Sequence, residues 1–239
     1  MPRPNPPDRR GADAGRRRLL ALAALAAAAP LARGQASAAY SPAEQALFVR
    51  PHLSGLRPGQ ALGYHFRHGG SMEPGFEDQV TIRLGPAADG RCCSARGEFL
   101  TGARALMLPD LPSATSNPVI LYFLERDVRE MQRLTRGQQN HFRKRIRVAL
   151  ADHAQVRELA LRYRGQAVGG SEITVSPYLD DPHRARFERL AGKRYRFVLS
   201  EAVPGGVAAM STTVADAAAG TPLIEDTLTL EGAEPPPPA

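Results

Sequence analysis

The sequence predicts an α+β domain, a curved and mainly antiparallel sheet of seven to nine strands covered by a helical hairpin. Three observations carry that expectation. Short segments within 62–99 and again within 159–230 alternate apolar and polar residues with a period of two, as strands with one buried face do. Residues 117–152, between them, switch to helical spacing. Strands and helices never alternate one for one, which argues against a doubly wound parallel sheet.

Taken in order, the first element is a short helix. Ser41-Pro42-Ala43-Glu44 sets a capping hydroxyl, Pro at the first helical position and Glu three residues after the cap. The turn should run to about Val49 and stop before Pro51. Leu62, Tyr64 and Phe66 then interleave with Gly63, His65 and Arg67. Val80, Ile82 and Leu84 repeat the pattern; after Asp89-Gly90, Cys93, Ala95 and Phe99 share one parity, and Leu106 with Leu108 suggests a further short strand. Asn117 caps and Pro118 opens a helix in which Ile120, Leu121, Leu124, Val128, Met131 and Leu134 recur until Gly137. Glu125 with Arg129, and Arg126 with Glu130, are spaced for ion pairs on its outer side. A second helix, 138–152, turns Phe142, Ile146, Ala149 and Leu150 inward.

Strand alternation returns with Leu159, Leu161 and Tyr163, then Ile173 and Val175. Asp181-Pro182 starts a brief helix through Leu190. Tyr195, Phe197 and Leu199 form a strand that turns at Pro204-Gly205 into 207–214, and Leu228 and Leu230 mark the last one. One domain over 39–231 accounts for all of this, with 232–239, which include four consecutive Pro, expected as a disordered tail.

The formal charge of +7 is unevenly spread: residues 1–38 hold seven Arg against Asp8 and Asp13, whereas the remaining 24 basic residues face 22 acidic ones. A field that would steer a polyanion is absent from the main domain, so nucleic acid is not expected as a partner. The basic stretch ending at Arg18, the apolar run Leu19 to Ala32 and the small residues Ala36-Ser37-Ala38 read as a signal peptide cleaved after Ala38. That run contains Pro30 and is shorter than the roughly 20 residues a membrane helix needs. Arg16-Arg17-Arg18-Leu19-Leu20 resembles the twin-arginine export motif, although Sec leaders are basic too. A periplasmic or secreted protein is expected.

Chemistry-bearing motifs are sparse. Ser71 lies in a turn without the Gly-x-Ser-x-Gly context of an activated nucleophile. Cys92-Cys93 on a strand should point one thiol into the core and one out. For a metal-dependent enzyme the candidate ligands are His65 and His68 at a strand end, and Asp180 and His183 around the Asp181 cap; the competing account makes Asp181 a helix cap and His183 a solvated residue. No cofactor is called for. Arg143, Lys144 and Arg147 of the basic run could meet an anionic membrane surface or an envelope protein.

The aromatic residues Tyr64, Phe66, Tyr163, Tyr195 and Phe197 fall on the apolar parity of their strands, with His65, Arg67, Arg83, Arg162 and Arg196 on the other. Those five are the candidate ligand-binding residues, lining an apolar concavity that a lipid or acyl chain could enter. This arrangement resembles the half-barrel carriers of bacterial envelopes, the lipoprotein-chaperone or LolA-like type, over about residues 60–230 and at the level of architecture only. The resemblance implies a non-enzymatic exported protein that binds an apolar, lipid-like small molecule or an envelope partner. A metal-dependent exported enzyme and a purely structural envelope protein are the alternatives.

Overall fold

The computed structural model describes residues 40–90, 92–216 and 220–234. The expected signal peptide lies outside them, as do 235–239. Ser41 and Glu44 make the reciprocal capping box, with the Glu44 amide donating to the Ser41 hydroxyl at 3.2 Å and the Ser41 amide to the Glu44 carboxylate at 2.9 Å. It opens the single turn Pro42–Glu44 (α1), which runs on as a π turn, Gln45–Val49.

Eight strands follow the alternating segments: Ala61–Gly69 (β1), Phe76–Pro86 (β2), Cys92–Phe99 (β3), Gln155–Tyr163 (β4), Gln166–Val175 (β5), Arg194–Leu199 (β6), Val207–Val214 (β7) and Ile224–Leu230 (β8). They form one antiparallel sheet in the order β3-β2-β1-β8-β7-β6-β5-β4. First and last strands therefore meet in the middle, and β3 and β4, neighbours in the chain, are opposite edges. Joining those edges means crossing seven inter-strand spacings, on the order of 34 Å. The helical hairpin makes that crossing as Val119–Thr135 (α2) and Gln139–Asp152 (α3), and so roofs one face of the sheet. The α+β class and the bent sheet under a helical hairpin are as the periodicities indicate.

Several details differ from expectation. Leu106 and Leu108 make no strand; their segment touches β3 through single bridges, Phe99 to Leu106 and Ala95 to Leu111. The left-handed residue that ends α2 is Arg136, at φ 61°, and not Gly137. Gly137 is small for another reason: a Cβ there would lie 2.6 Å from the Phe142 ring, which folds back from α3. The brief helix after Asp181 is two 3₁₀ turns, Arg184–Arg186 and Glu188–Leu190. Cys93 is buried in the core and Cys92 only half-buried, as the strand parity indicates, and the two sulfur atoms are joined as a vicinal disulfide.

The main correction concerns β4 and β5. Arg157 sits opposite Glu172 and Tyr163 opposite Gln166, a register that puts Leu159, Leu161 and Tyr163 on the face turned away from the helices. The tip of this hairpin bends over that second face, where Gly170 leaves room for Leu161 and a Cβ would lie 2.5 Å from it. Residues 232–234 meet it there: the Arg164 amide donates to the Gly232 carbonyl at 2.7 Å and the Glu234 amide to the Arg162 carbonyl at 3.1 Å. The tail expected to be disordered from 232 thus pairs with β4 as far as Glu234. Under the bent tip, β6 from Tyr195 to Leu199 and β7 from Val207 to Met210 are buried on both faces. Arg196, expected on a solvated face, is buried in an ion pair with Glu172, which also binds Arg157.

Candidate functional site

Two features of the helix-covered face could carry function, a buried polar row and an apolar furrow. The row runs across four strands in register: His68 of β1 stands opposite Asp226 of β8, Asp226 opposite Thr212 of β7, and Thr212 opposite Tyr195 of β6. None of the four is more than 4% exposed. Helix α2 lays Arg126 and Asp127 over them. The Asp226 carboxylate meets His68 Nδ1 at 2.6 Å and pairs with the Arg126 guanidinium through its other oxygen. Asp127 pairs with the ammonium of buried Lys193 and accepts the Tyr195 hydroxyl, and the Tyr178 hydroxyl donates to Tyr195 at 2.9 Å.

Burial would raise the Asp226 carboxyl, but the His68 hydrogen bond and the charges of Arg126 and Lys193 outweigh it and hold the group below its ordinary range. Burial and the neighbouring Asp127 carboxylate push both Tyr178 and Tyr195 well above a normal phenol. Two carboxylates are thus matched by two fixed cations with every phenol protonated. The row is closed off from solvent and its chemistry is that of a fastening between roof and sheet. The sequence carried one sign of it: Asp127 falls four residues after Phe123 and seven after Ile120, on an otherwise apolar stripe.

The predicted ligand-binding residues divide. Tyr64, Phe66, Tyr195 and Phe197 do share the helix-covered face, at 1% exposure or less. They are packed into the core and do not line an open cup: Tyr64 accepts a hydrogen bond from Asn117, and Phe66 packs against Phe99 and under the Arg126 guanidinium. Tyr163 lies on the opposite face, at the hairpin tip. Nor does the structure gather the proposed metal ligands. Three residues apart on one strand, His65 and His68 point to opposite faces; His65 is exposed beside Glu77, and His68 is committed to Asp226. Asp180 and His183 belong to a separate loop where Asp181 accepts the His183 amide at 2.7 Å, the capping role, and also binds His141 and Arg145. Among the described residues no three His, Cys, Asp or Glu side chains converge as metal ligands would.

The furrow lies between the two helices of the hairpin, bordered by the π turn and by residues 108–111, and encloses about 640 Å³. Leu121, Leu124 and Val128 of α2 and Ile146 and Leu150 of α3 make its apolar walls at helical spacing. Phe48 and Tyr122 close it. Arg129, Arg143 and Arg147 stand at its rim; Glu125 binds both Arg129, at 3.2 Å, and Arg143, at 2.8 Å. Those two guanidinium groups hold the Glu125 carboxyl below the usual carboxylate range, with the Arg143 hydrogen bond the largest cause and burial opposing. Arg126 acts on Glu130 through its charge, but its direct contact is inward to Asp226, and Glu130 binds Arg133 instead. The signal for the furrow was legible: six consecutive apolar residues, Val119 to Leu124, are more than one helix face can bury. No protein-family model, curated protein or solved structure matches this chain. Among the described residues no helix is long and apolar enough to cross a membrane.

Proposed function

We propose that the protein is an exported, periplasmic or secreted, non-enzymatic binding protein that holds an apolar, lipid-like ligand in the furrow between α2 and α3. The observation that carries this reading is an apolar furrow of about 640 Å³ with guanidinium groups at its rim. That volume falls within the roughly 300–1,000 Å³ of small-molecule sites. Leu121 is 51% exposed at the mouth, an apolar side chain left in water that a hydrocarbon ligand would cover. Arg147 is positioned at the rim for an anionic end group. No His, Cys or Ser lines the furrow, and both of its carboxylates are occupied, Glu125 by arginines and Glu44 by the Ser41 amide, which favours binding over catalysis.

The likeness to LolA-like carriers is retained as part of this proposal, supported by a bent antiparallel sheet roofed by helices; the ligand is moved from beneath the roof to within it. The metal-dependent enzyme has no comparable support, because His65, His68 and the Asp180 to His183 loop occupy three separate places.

Native mass spectrometry and organic extraction of protein purified from the cell envelope should show a co-purifying amphiphile. Oleate should bind saturably, and Leu121→Arg together with Val128→Arg should weaken it at least tenfold. A protein that carries no lipid and shows no saturable oleate binding would overturn the reading.

A further inference from the structure

The sheet face turned away from the helices holds a trough of about 760 Å³. Its floor is three cross-strand rows in the middle of the sheet. Thr229 of β8 lies between His65 of β1 and Ala209 of β7. In the next row Thr227 lies between Arg67 and Ser211, and Ser211 in turn faces Arg196 of β6. In the third, Thr213 stands between Glu225 and Arg194. The two central strands thus contribute mostly short side chains, four of them hydroxyl-bearing, while longer charged ones rise from β1 and β6 on either side. Those outer strands are about 14 Å apart at ordinary strand spacing. One end is walled by residues 231–233, held there by the bent β4–β5 tip.

The lining selects among ligand classes. Ala209, Ala215, Leu230 and Ala233 share the lining with hydroxyls that both donate and accept, so the surface suits a molecule with apolar and polar faces, and a pure hydrocarbon would strand the hydroxyls. An anion needs free cations, yet Arg67 is bound to Glu225 at 2.5 Å and Arg196 to Glu172. Arg194 alone of the three has no ion-pair partner among the described residues. A cation finds Glu225 already neutralised by Arg67, and the other carboxylate of the lining, Glu231, lies exposed over Gly63 and is offset by the unpaired Arg194. What remains is a molecule with many hydroxyls and little charge, for which fixed guanidinium and carboxylate groups supply directional donors and acceptors without a net field. We propose that this trough is a second binding site, independent of the helical furrow, for a polyhydroxylated ligand of the neutral oligosaccharide class.

The test is a titration of the ¹⁵N-labelled protein with maltotriose and chitotriose, with trigalacturonate as the charged comparison. At least one neutral sugar should give saturable amide shifts at Ser211, Thr213, Thr227 and Thr229. Ser211→Tyr or Thr227→Phe, each filling the floor, should lower its affinity at least tenfold while the spectrum stays folded. Leu121→Arg in the furrow should leave it unchanged, so failure here is distinguishable from failure of the lipid site. Absence of saturable shifts with both neutral sugars, shifts with trigalacturonate alone, or binding that survives both filling variants would overturn the proposal.

Discussion

Asn117 ties three distant parts of the chain at one buried point. Its side-chain amide donates to the Tyr64 hydroxyl and to the Gly205 carbonyl, both at 2.8 Å, and its oxygen accepts the Val119 amide at 3.1 Å. Its capping role was readable because a cap acts within a few residues, whereas its bond to Tyr64 spans 53 positions and has no local sign. Asn117→Ala should lower stability by about 1–3 kcal/mol in urea unfolding, since it strands the Gly205 carbonyl and the first amide of α2. Lys193 is a second such residue. Nothing around it in the sequence marks it as buried, yet it neutralises Asp127 beneath the roof. Lys193→Met leaves that carboxylate unpaired and should destabilise by about 3–5 kcal/mol. Adding Asp127→Leu should restore part of the loss, the sign of a buried pair in a double-mutant cycle. A loss below 1 kcal/mol in the single variant would contradict the pairing.

At the scale of elements, α2 has two apolar sides, and they do different work. Ile120, Phe123 and Met131 seat it on the sheet, while Leu121 and Val128 face the furrow. Helical periodicity located the helix and its apolar residues without dividing them between two surfaces, because spacing along one helix does not say how many partners surround it. The seating depends on Gly97 of β3, where a Cβ would lie 2.2 Å from the Tyr122 ring. Gly97→Val should therefore displace Tyr122, destabilise by about 1–3 kcal/mol as overpacking does, and weaken oleate binding in the furrow. Combining it with Tyr122→Leu should recover stability; unchanged unfolding in the single variant would refute the contact. The β4–β5 hairpin shows the opposite limit. Its alternation was read correctly as strand, but its apolar side packs on the sheet face turned away from the helices, because the tip bends back over the sheet.

For the whole molecule the buried titratable groups set the response to acid. His52 accepts the Asn117 amide on Nδ1 at 3.3 Å and contacts the Ala46 carbonyl through Nε2 at 2.8 Å, so the neutral ring fits its site. Burial lowers its pKa from 6.5, opposed by the Ala46 hydrogen bond and helped by Arg50. A folded pKa below the unfolded one contributes stability that is full above 6.5 and is lost as the pH falls through the folded value. Asp226 has the same sign in a lower window: its contribution is present above 3.8 and is lost as the pH falls through its depressed folded value. Urea midpoints measured across pH 8 to 2 should fall in these two stages. His52→Gln should remove the first stage, and Asp226→Asn should shrink the second, to which the likewise depressed Glu125, Glu130 and Glu172 carboxyls also contribute; midpoints that hold steady over the whole series would contradict both assignments. The sequence by itself determined the strand and helix inventory, the capping box at Ser41 and the central place of the helix pair, because period, cap and turn chemistry act between residues a few positions apart. Only the tertiary structure decided that the aromatic face is filled by the roof, that β4 turns its apolar side the other way, and that a furrow and a hydroxyl-lined trough open on different surfaces. Those outcomes follow from pairings between distant strands and from the bending of the sheet, which local spacing does not encode.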